Sequence, residues 1–328
     1  MGGVTFFRMT ILRFKTWGTF LMVFLPLLSI SKEQLRLNEV QFVGSHNSYK
    51  QKMPFYYFWT LRLLDSDAAK ALEYWHPPLS KQLELGLRKL ELDLFYDSSS
   101  GEFRVGHIQV IDMESNCASL RACLLEIRQW SDQNPNHIPI WISFNLKDQA
   151  IPWLPAPELF SPEALTDIDL ALDEIIGDKL IYPRDVVDQE WPLMAESRGK
   201  LLVILDEGGE KRDWYLKGWQ DRPMFVPVDE DHEAAAIMVI NDPVRDFDRI
   251  KSLVKQGYLV RTRADSGTQE ARDNNTVRRE KAFQSGAQAI STDYFLKTNP
   301  FDSIYRVSIE NEIRCNPVLI AQDCSFSE

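Results

Sequence analysis

Cysteine is scarce in this chain, four in 328 residues, and none has the CxxC spacing of a zinc or redox centre. Cys117 lies close to Cys123, and Cys315 close to Cys324, so two local disulfides in an oxidising compartment are expected. Positive charge is in deficit. Lys and Arg number 37 against 48 Asp and Glu, a formal net charge of −11. That balance argues against a nucleic-acid polyanion as the general partner. An anionic substrate must then be met locally, by a metal or by a few placed Arg and Lys. Internal repeats, low-complexity tracts and convincing linkers are absent, so one domain over 32–328 is expected. Long apolar runs are confined to the start of the chain. There Arg8, Arg13 and Lys15 precede an apolar stretch over 17–30, broken by Pro26 and followed by Ser31. A basic start, a short apolar centre and a small-residue exit make 1–31 a secretory signal peptide. The run is too short for a comfortable membrane span, and a retained amphipathic anchor is the weaker alternative. The mature protein is expected to be secreted or periplasmic.

What the remaining chain does have is alternation of short apolar runs with helical patterns. Strands are expected at 41–45, 88–95, 103–106, 138–144, 200–205, 235–240, 258–263 and 289–292. Helices fall between them: Leu120, Leu124, Ile127 and Trp130 recur at helical spacing, as do Leu165, Ile168, Leu172 and Ile175. Ser161-Pro162 opens the second of these and Gly177 closes it. This alternation marks a parallel α/β fold, and eight such strands predict a distorted TIM-type (β/α)8 barrel. A doubly wound open sheet is the runner-up, weakened because no Gly-rich phosphate turn follows the first strand.

Chemistry-bearing residues gather at strand ends, which in a barrel open on one rim. Gly44-Ser45-His46-Asn47-Ser48-Tyr49 follows the first strand, and Val105-Gly106-His107 ends the third. In Leu90-Glu91-Leu92-Asp93-Leu94, alternation puts Glu91 and Asp93 on one face. Two inward carboxylates repel one another and lose hydration, so something must neutralise them. An oxygen set that includes Asn47 suits Ca2+, or Mg2+, better than zinc. The competing reading is a structural ion pair with Arg88, Lys89 or another base. His46 and His107 bracket the acids and suit proton transfer near neutral pH. His76, His137 and His232 are expected at the surface. Asn145 and Lys147 follow the fourth strand, Asp206 the fifth and Asp293 the last. Lys147, Arg261 and Arg263 are candidates for phosphate oxygens, the arginines equally for rim salt bridges. Two aromatic stretches, Pro54-Phe55-Tyr56-Tyr57-Phe58-Trp59 and Ile151-Pro152-Trp153-Leu154-Pro155, suit either a transient membrane-surface contact or packing on the barrel. For the first of them, packing is the favoured reading.

The order HNSY, ELDLF and VGH resembles the phosphatidylinositol-specific phospholipase C superfamily. The later segments, residues 259–265 (LVRTRAD) and 284–294 (QSGAQAISTDY), are similar to its calcium-dependent branch in bacteria and fungi. The resemblance implies a distorted (β/α)8 barrel that cleaves phosphoinositides on the glycerol side of phosphorus, with the inositol 2-hydroxyl attacking in line. It implies that His46 stabilises the crowded phosphorane and relays a proton, and that His107 protonates the departing diacylglycerol oxygen. Asn47, Glu91 and Asp93 would hold Ca2+. The chain departs from the branch at Asn145, where an acid usually reaches the metal. Two rivals remain: a glycerophosphodiester phosphodiesterase, and a catalytically weakened barrel that binds phosphoinositide or carbohydrate.

Overall fold

Residues 32–186 and 188–320 are described by a computed structural model; the expected signal peptide lies outside them. Ten strands form one sheet: β1 (Val40–Ser45), β2 (Lys89–Asp97), β3 (Glu102–Val105), β4 (Ile140–Leu146), β5 (Leu201–Leu205), β6 (Met224–Phe225), β7 (Ile237–Val239), β8 (Leu259–Arg263), β9 (Ala289–Thr292) and β10 (Ile313–Cys315). The order β6-β5-β4-β2-β1-β9-β8-β7 is parallel throughout. This is a nearly closed eight-stranded parallel barrel, open between β6 and β7.

One expected barrel strand is not part of it. The 103–106 run is β3, paired antiparallel to β2 through a tight turn that ends at Gly101. A hairpin needs only such a turn, whereas a parallel neighbour needs a crossover. The eighth barrel strand is instead β6, and two residues are too few to show alternation. β10 runs antiparallel to β1 at its N-terminal half, Val40 opposite Cys315 and Phe42 opposite Ile313.

The helices start where the sequence marks them. α1 (Phe55–Leu64), α2 (Ser66–Ala71) and α3 (Leu79–Glu84) follow β1; α4 (Leu120–Gln133) follows β3 and α5 (Pro162–Ile175) follows β4. Ser119 caps α4 by accepting from the Ala122 amide, and Ser161 caps α5 through the Ala164 amide. Both turn their periodic apolar residues onto the barrel. α1 behaves differently. Its apolar residues run all round rather than along one face, none is buried, and the favoured packing reading is overturned. Phe55, Tyr56, Leu63 and Leu64 are all exposed.

Inside the barrel, each strand alternates strictly. Leu90, Leu92 and Leu94 join the outer core under the helices, so Lys89, Glu91 and Asp93 face inward. The lower interior is apolar, filled by Phe42, Trp141, Leu202, Phe225, Leu259 and Ala289. Two to four residues further along the same strands, the inward positions become polar. A Cβ on Gly44 would fall 2.2 Å from the Lys89 Cβ, so β1 and β2 meet only because that position lacks a side chain. Cys117 and Cys123 form a disulfide that ties the approach to α4 to its first turn. Cys315 is disulfide-bonded too, and its expected partner Cys324 lies outside the described residues. No helix among the described residues is long and apolar enough to cross a membrane.

Candidate active site

Of the residues expected at the rim, all but Asp293 line one cleft of about 170 Å3, among them His46, Asn47, Glu91, Asp93, His107, Asn145, Lys147, Arg261 and Arg263. Asp206 and Asn241 complete its wall. For most of them the convergence follows from parity: His46, Glu91, Asp93, Asn145, Lys147, Arg261 and Arg263 are inward positions at or just past the ends of parallel strands, whereas Asn47 comes from the loop after β1 and His107 from the antiparallel hairpin strand β3.

Each of the two histidines at the cleft is braced by a carboxylate. His46 Nδ1 lies 3.0 Å from Asp293 Oδ1, which leaves Nε2 as the basic nitrogen. Arg263 stands 3.3 Å from each ring nitrogen and 3.3 Å from Asp293. Burial, with the Arg263 charge beside it, lowers the His46 pKa below the ordinary imidazole value, although Asp293 and Glu91 pull the other way. Burial alone would raise the Asp293 carboxyl, but His46, His76 and Arg263 outweigh it and hold that group far below the usual range. His107 Nδ1 is 2.9 Å from Asp112 Oδ2, and Lys50, fully buried, reaches the other Asp112 oxygen at 3.0 Å. Neither Asp112 nor Lys50 carries a motif that marks it; only the turn after β3 brings Asp112 back onto His107.

Of the histidines expected at the surface, two are buried. His76 donates from Nε2 to the His46 carbonyl at 2.9 Å and sits 3.8 Å from Asp293. It is therefore a support of the site, which its Pro-flanked sequence setting concealed. His137 packs far from the rim, with Ser131 Oγ 2.7 Å from Nε2. His232 remains partly exposed.

The carboxylates are already partnered by bases. Glu91 Oε2 receives Lys89 Nζ and, at 2.8 Å, Arg261 Nη2. Burial would raise the Glu91 pKa, but Lys89, Arg261 and His46 hold it well below the usual range. Desolvation in turn brings Lys89 down to about 8, with Glu91 acting against it. Arg88 takes no part and pairs with Glu312 at 2.7 Å. Arg261, a candidate for substrate phosphate, is buried and committed to Glu91 and Asn241. Lys147 Nζ pairs with Asp93 Oδ2 at 2.8 Å, and both Asp93 oxygens are buried. Asn47 adopts φ +44°, a left-handed conformation that Asn tolerates. Its Nδ2 donates to the Tyr74 hydroxyl at 2.7 Å, which leaves the amide oxygen to accept. Burial raises the Asp206 carboxyl to about 6, the nearby Glu91 adding to it against Arg261.

The family model described as “Phosphoinositide phospholipase C, Ca2+-dependent” matches residues 35–105 and 102–317. Among solved structures, a calcium-dependent phosphoinositol-specific phospholipase C from a Gram-negative bacterium, Pseudomonas sp., is similar at 17% identity and a TM-score of 0.56. That alignment covers 87% of this chain and 96% of the other. A Ca2+-dependent phosphatidylinositol-specific phospholipase C from Streptomyces antibioticus is similar at 17% identity and a TM-score of 0.54, covering 79% and 94%. At that identity these two likenesses bear on the barrel alone. No curated protein sequence matches the chain.

Proposed function

The chain belongs to the Ca2+-dependent phosphoinositide phospholipase C family and is a phosphoric diester hydrolase; from that premise we propose that it cleaves phosphatidylinositol-type lipids on the glycerol side of phosphorus. The observation that carries this reading is the pair of carboxylate-braced imidazoles, His46–Asp293 and His107–Asp112, facing one cleft. His46 Nε2 takes the proton of the inositol 2-hydroxyl as its oxygen bonds to phosphorus. The glycerol oxygen leaves with a proton from His107 Nε2, giving an inositol cyclic phosphate and diacylglycerol. A largely enclosed imidazole with a lowered pKa suits the first role, since it is neutral at physiological pH. Arg263, in contact with the His46 ring, and Lys147, partly exposed, supply positive charge where the phosphoryl oxygens would lie.

Asn47, Glu91, Asp93 and Asn145 would hold Ca2+. The buried Asp93 oxygens and the Asn47 amide oxygen are the hard donors such an ion takes. Among the described residues, no group of three or more His, Cys, Asp or Glu side chains is placed to hold a metal, so the set leans on the two amides. When bound, the ion would lower the pKa of the attacking hydroxyl and offset charge on phosphoryl oxygens. Lys147 competes for Asp93, and its position at the rim leaves it room to swing away. Release of inositol phosphate from phosphatidylinositol is therefore expected in calcium, lost in chelator and restored by added calcium. Lys147→Gln is expected to tighten calcium binding severalfold by calorimetry, on the scale of a partly exposed ion pair. A full rate in excess chelator would remove the ion from the proposal. Turnover confined to water-soluble glycerophosphodiesters would hand the function to the rival phosphodiesterase.

Membrane-surface contact belongs to the same proposal. α1 presents Phe55, Tyr56, Leu63 and Leu64 outward, and Trp153 is fully exposed. With a net charge of −11, apolar insertion rather than charge must hold the protein on an anionic surface. Trp153→Ala with Leu63→Ser is expected to lower partition onto phosphatidylinositol-containing vesicles by about tenfold or more. Unchanged sedimentation with vesicles would count against the contact.

A further inference from the structure

Between α1, α2 and the segment that follows them lies a cavity of about 450 Å3, well within the range of ligand sites. Its wall is formed by Met53, Phe58, Trp59, Leu72, Tyr74 and Trp75. Two charged residues stand at its edge. Glu73 pairs with Arg272 at 2.6 Å, and the Lys52 ammonium lies 5.0 Å from the centre of the Trp75 ring. Most of the wall is aromatic or aliphatic. The Tyr74 hydroxyl, the polar atom nearest the cleft, already accepts from Asn47.

Tyr74 is also what joins the cavity to the chemistry. Its ring lies 5.8 Å from the His46 ring, and Lys50, the partner of Asp112 behind His107, lies 5.1 Å from its centre. Tyr74 thus lines the cavity and stands directly behind His46 and Asn47, which line the cleft. On its other side the cavity is walled by α1, whose exposed Phe55 also lines it and whose Tyr56 faces outward. An apolar tail attached to the leaving oxygen could pass from bilayer to cavity along α1 with little exposure to water.

We propose that this cavity is an acyl-chain subsite, which holds the first carbons of one fatty tail of the lipid being cleaved. The inference rests on the phosphoinositide phospholipase reading and adds to it a preference for the tail. Burial of each methylene against such a wall favours binding of the tailed substrate over a tailless one.

The test uses monomeric phosphatidylinositols below their micellar threshold, with dibutanoyl, dihexanoyl and dioctanoyl tails, beside tailless glycerophosphoinositol. No interface is present, so α1 and Trp153 cannot act through membrane binding. For the unmodified protein, kcat/KM is expected to rise roughly tenfold with each two-carbon extension until the cavity is filled. Leu72→Trp, which fills the cavity, and Phe58→Ala, which opens its wall, are both expected to flatten that rise to twofold or less. Carrying two opposite changes keeps the test alive if one variant does not fold. Turnover of all substrates at one rate, tailless included, overturns the subsite and leaves the phospholipase reading intact. Failure on every phosphoinositide overturns the reading beneath it. A concentration-dependent dimer abolished by Leu72→Trp would give the cavity to a second copy of the chain and overturn the proposal as well.

Discussion

His46→Ala and His107→Ala are each expected to lower phosphatidylinositol turnover by roughly 10²–10⁴-fold, the usual worth of a placed acid or base. When either ring is removed its carboxylate keeps a cation, Asp293 keeping Arg263 and Asp112 keeping Lys50, so the loss should come without gross change in melting temperature. The two variants should nevertheless differ. A nitrophenyl inositol phosphate has a leaving group that departs without a proton. On that substrate the His107→Ala deficit is expected to shrink to about tenfold or less, whereas the His46→Ala deficit persists. Equal deficits on both substrates would undo the assignment of base and acid. The pH profile gives a second check. His46 works when neutral, and burial with Arg263 sets its pKa below the ordinary value. Activity should therefore hold down through pH 7 and fall only below about 6.5, as protons return to Nε2. An acid limb well above neutrality would contradict that.

The second large effect is on stability. Glu91→Gln leaves Lys89 and Arg261 buried without their carboxylate, and breaking such a group costs about 3–5 kcal/mol. Lys89 is wholly buried, with only Ser45 O and Ser291 Oγ as its other partners, so it has no route to water. Lys89→Met added to Glu91→Gln is expected to recover most of the loss, because one orphaned cation is gone and a chain of similar length fills its space. Urea unfolding of the single and double variants reads both steps. A Glu91→Gln protein within about 1 kcal/mol of the parent would mean that the triad is not what holds the barrel mouth. The same triad explains how two inward acids persist on β2 at all: each is neutralised in place, Glu91 by Lys89 and Arg261, Asp93 by Lys147.

Much of the barrel could be read locally because alternation is a property of five or six consecutive residues. Leu90, Leu92 and Leu94 declare an outer face, and Glu91 and Asp93 follow as inward with no further information. The misreadings have a common cause in elements with little local pattern or with partners elsewhere. β6 is two residues long; the run that became β3 looks like any barrel strand until its turn is seen. His76 sits among prolines yet ends beside Asp293, which lies more than two hundred residues further along the chain.

What the amino-acid order determined by itself was the set of inward and rim positions: His46, Asn47, Glu91, Asp93, His107, Asn145, Lys147, Arg261 and Arg263. Strand period and strand ends are short-range facts, and a parallel barrel sends such ends to one face; only His107 comes there by another route, the hairpin strand β3. What only the tertiary structure decided was who neutralises whom. Glu91 meets an arginine 170 residues away, His46 meets Asp293 across β1 and β9, and α1 is left facing solvent. Those outcomes depend on register and on which surfaces remain uncovered after the sheet has closed, and no window of sequence contains either.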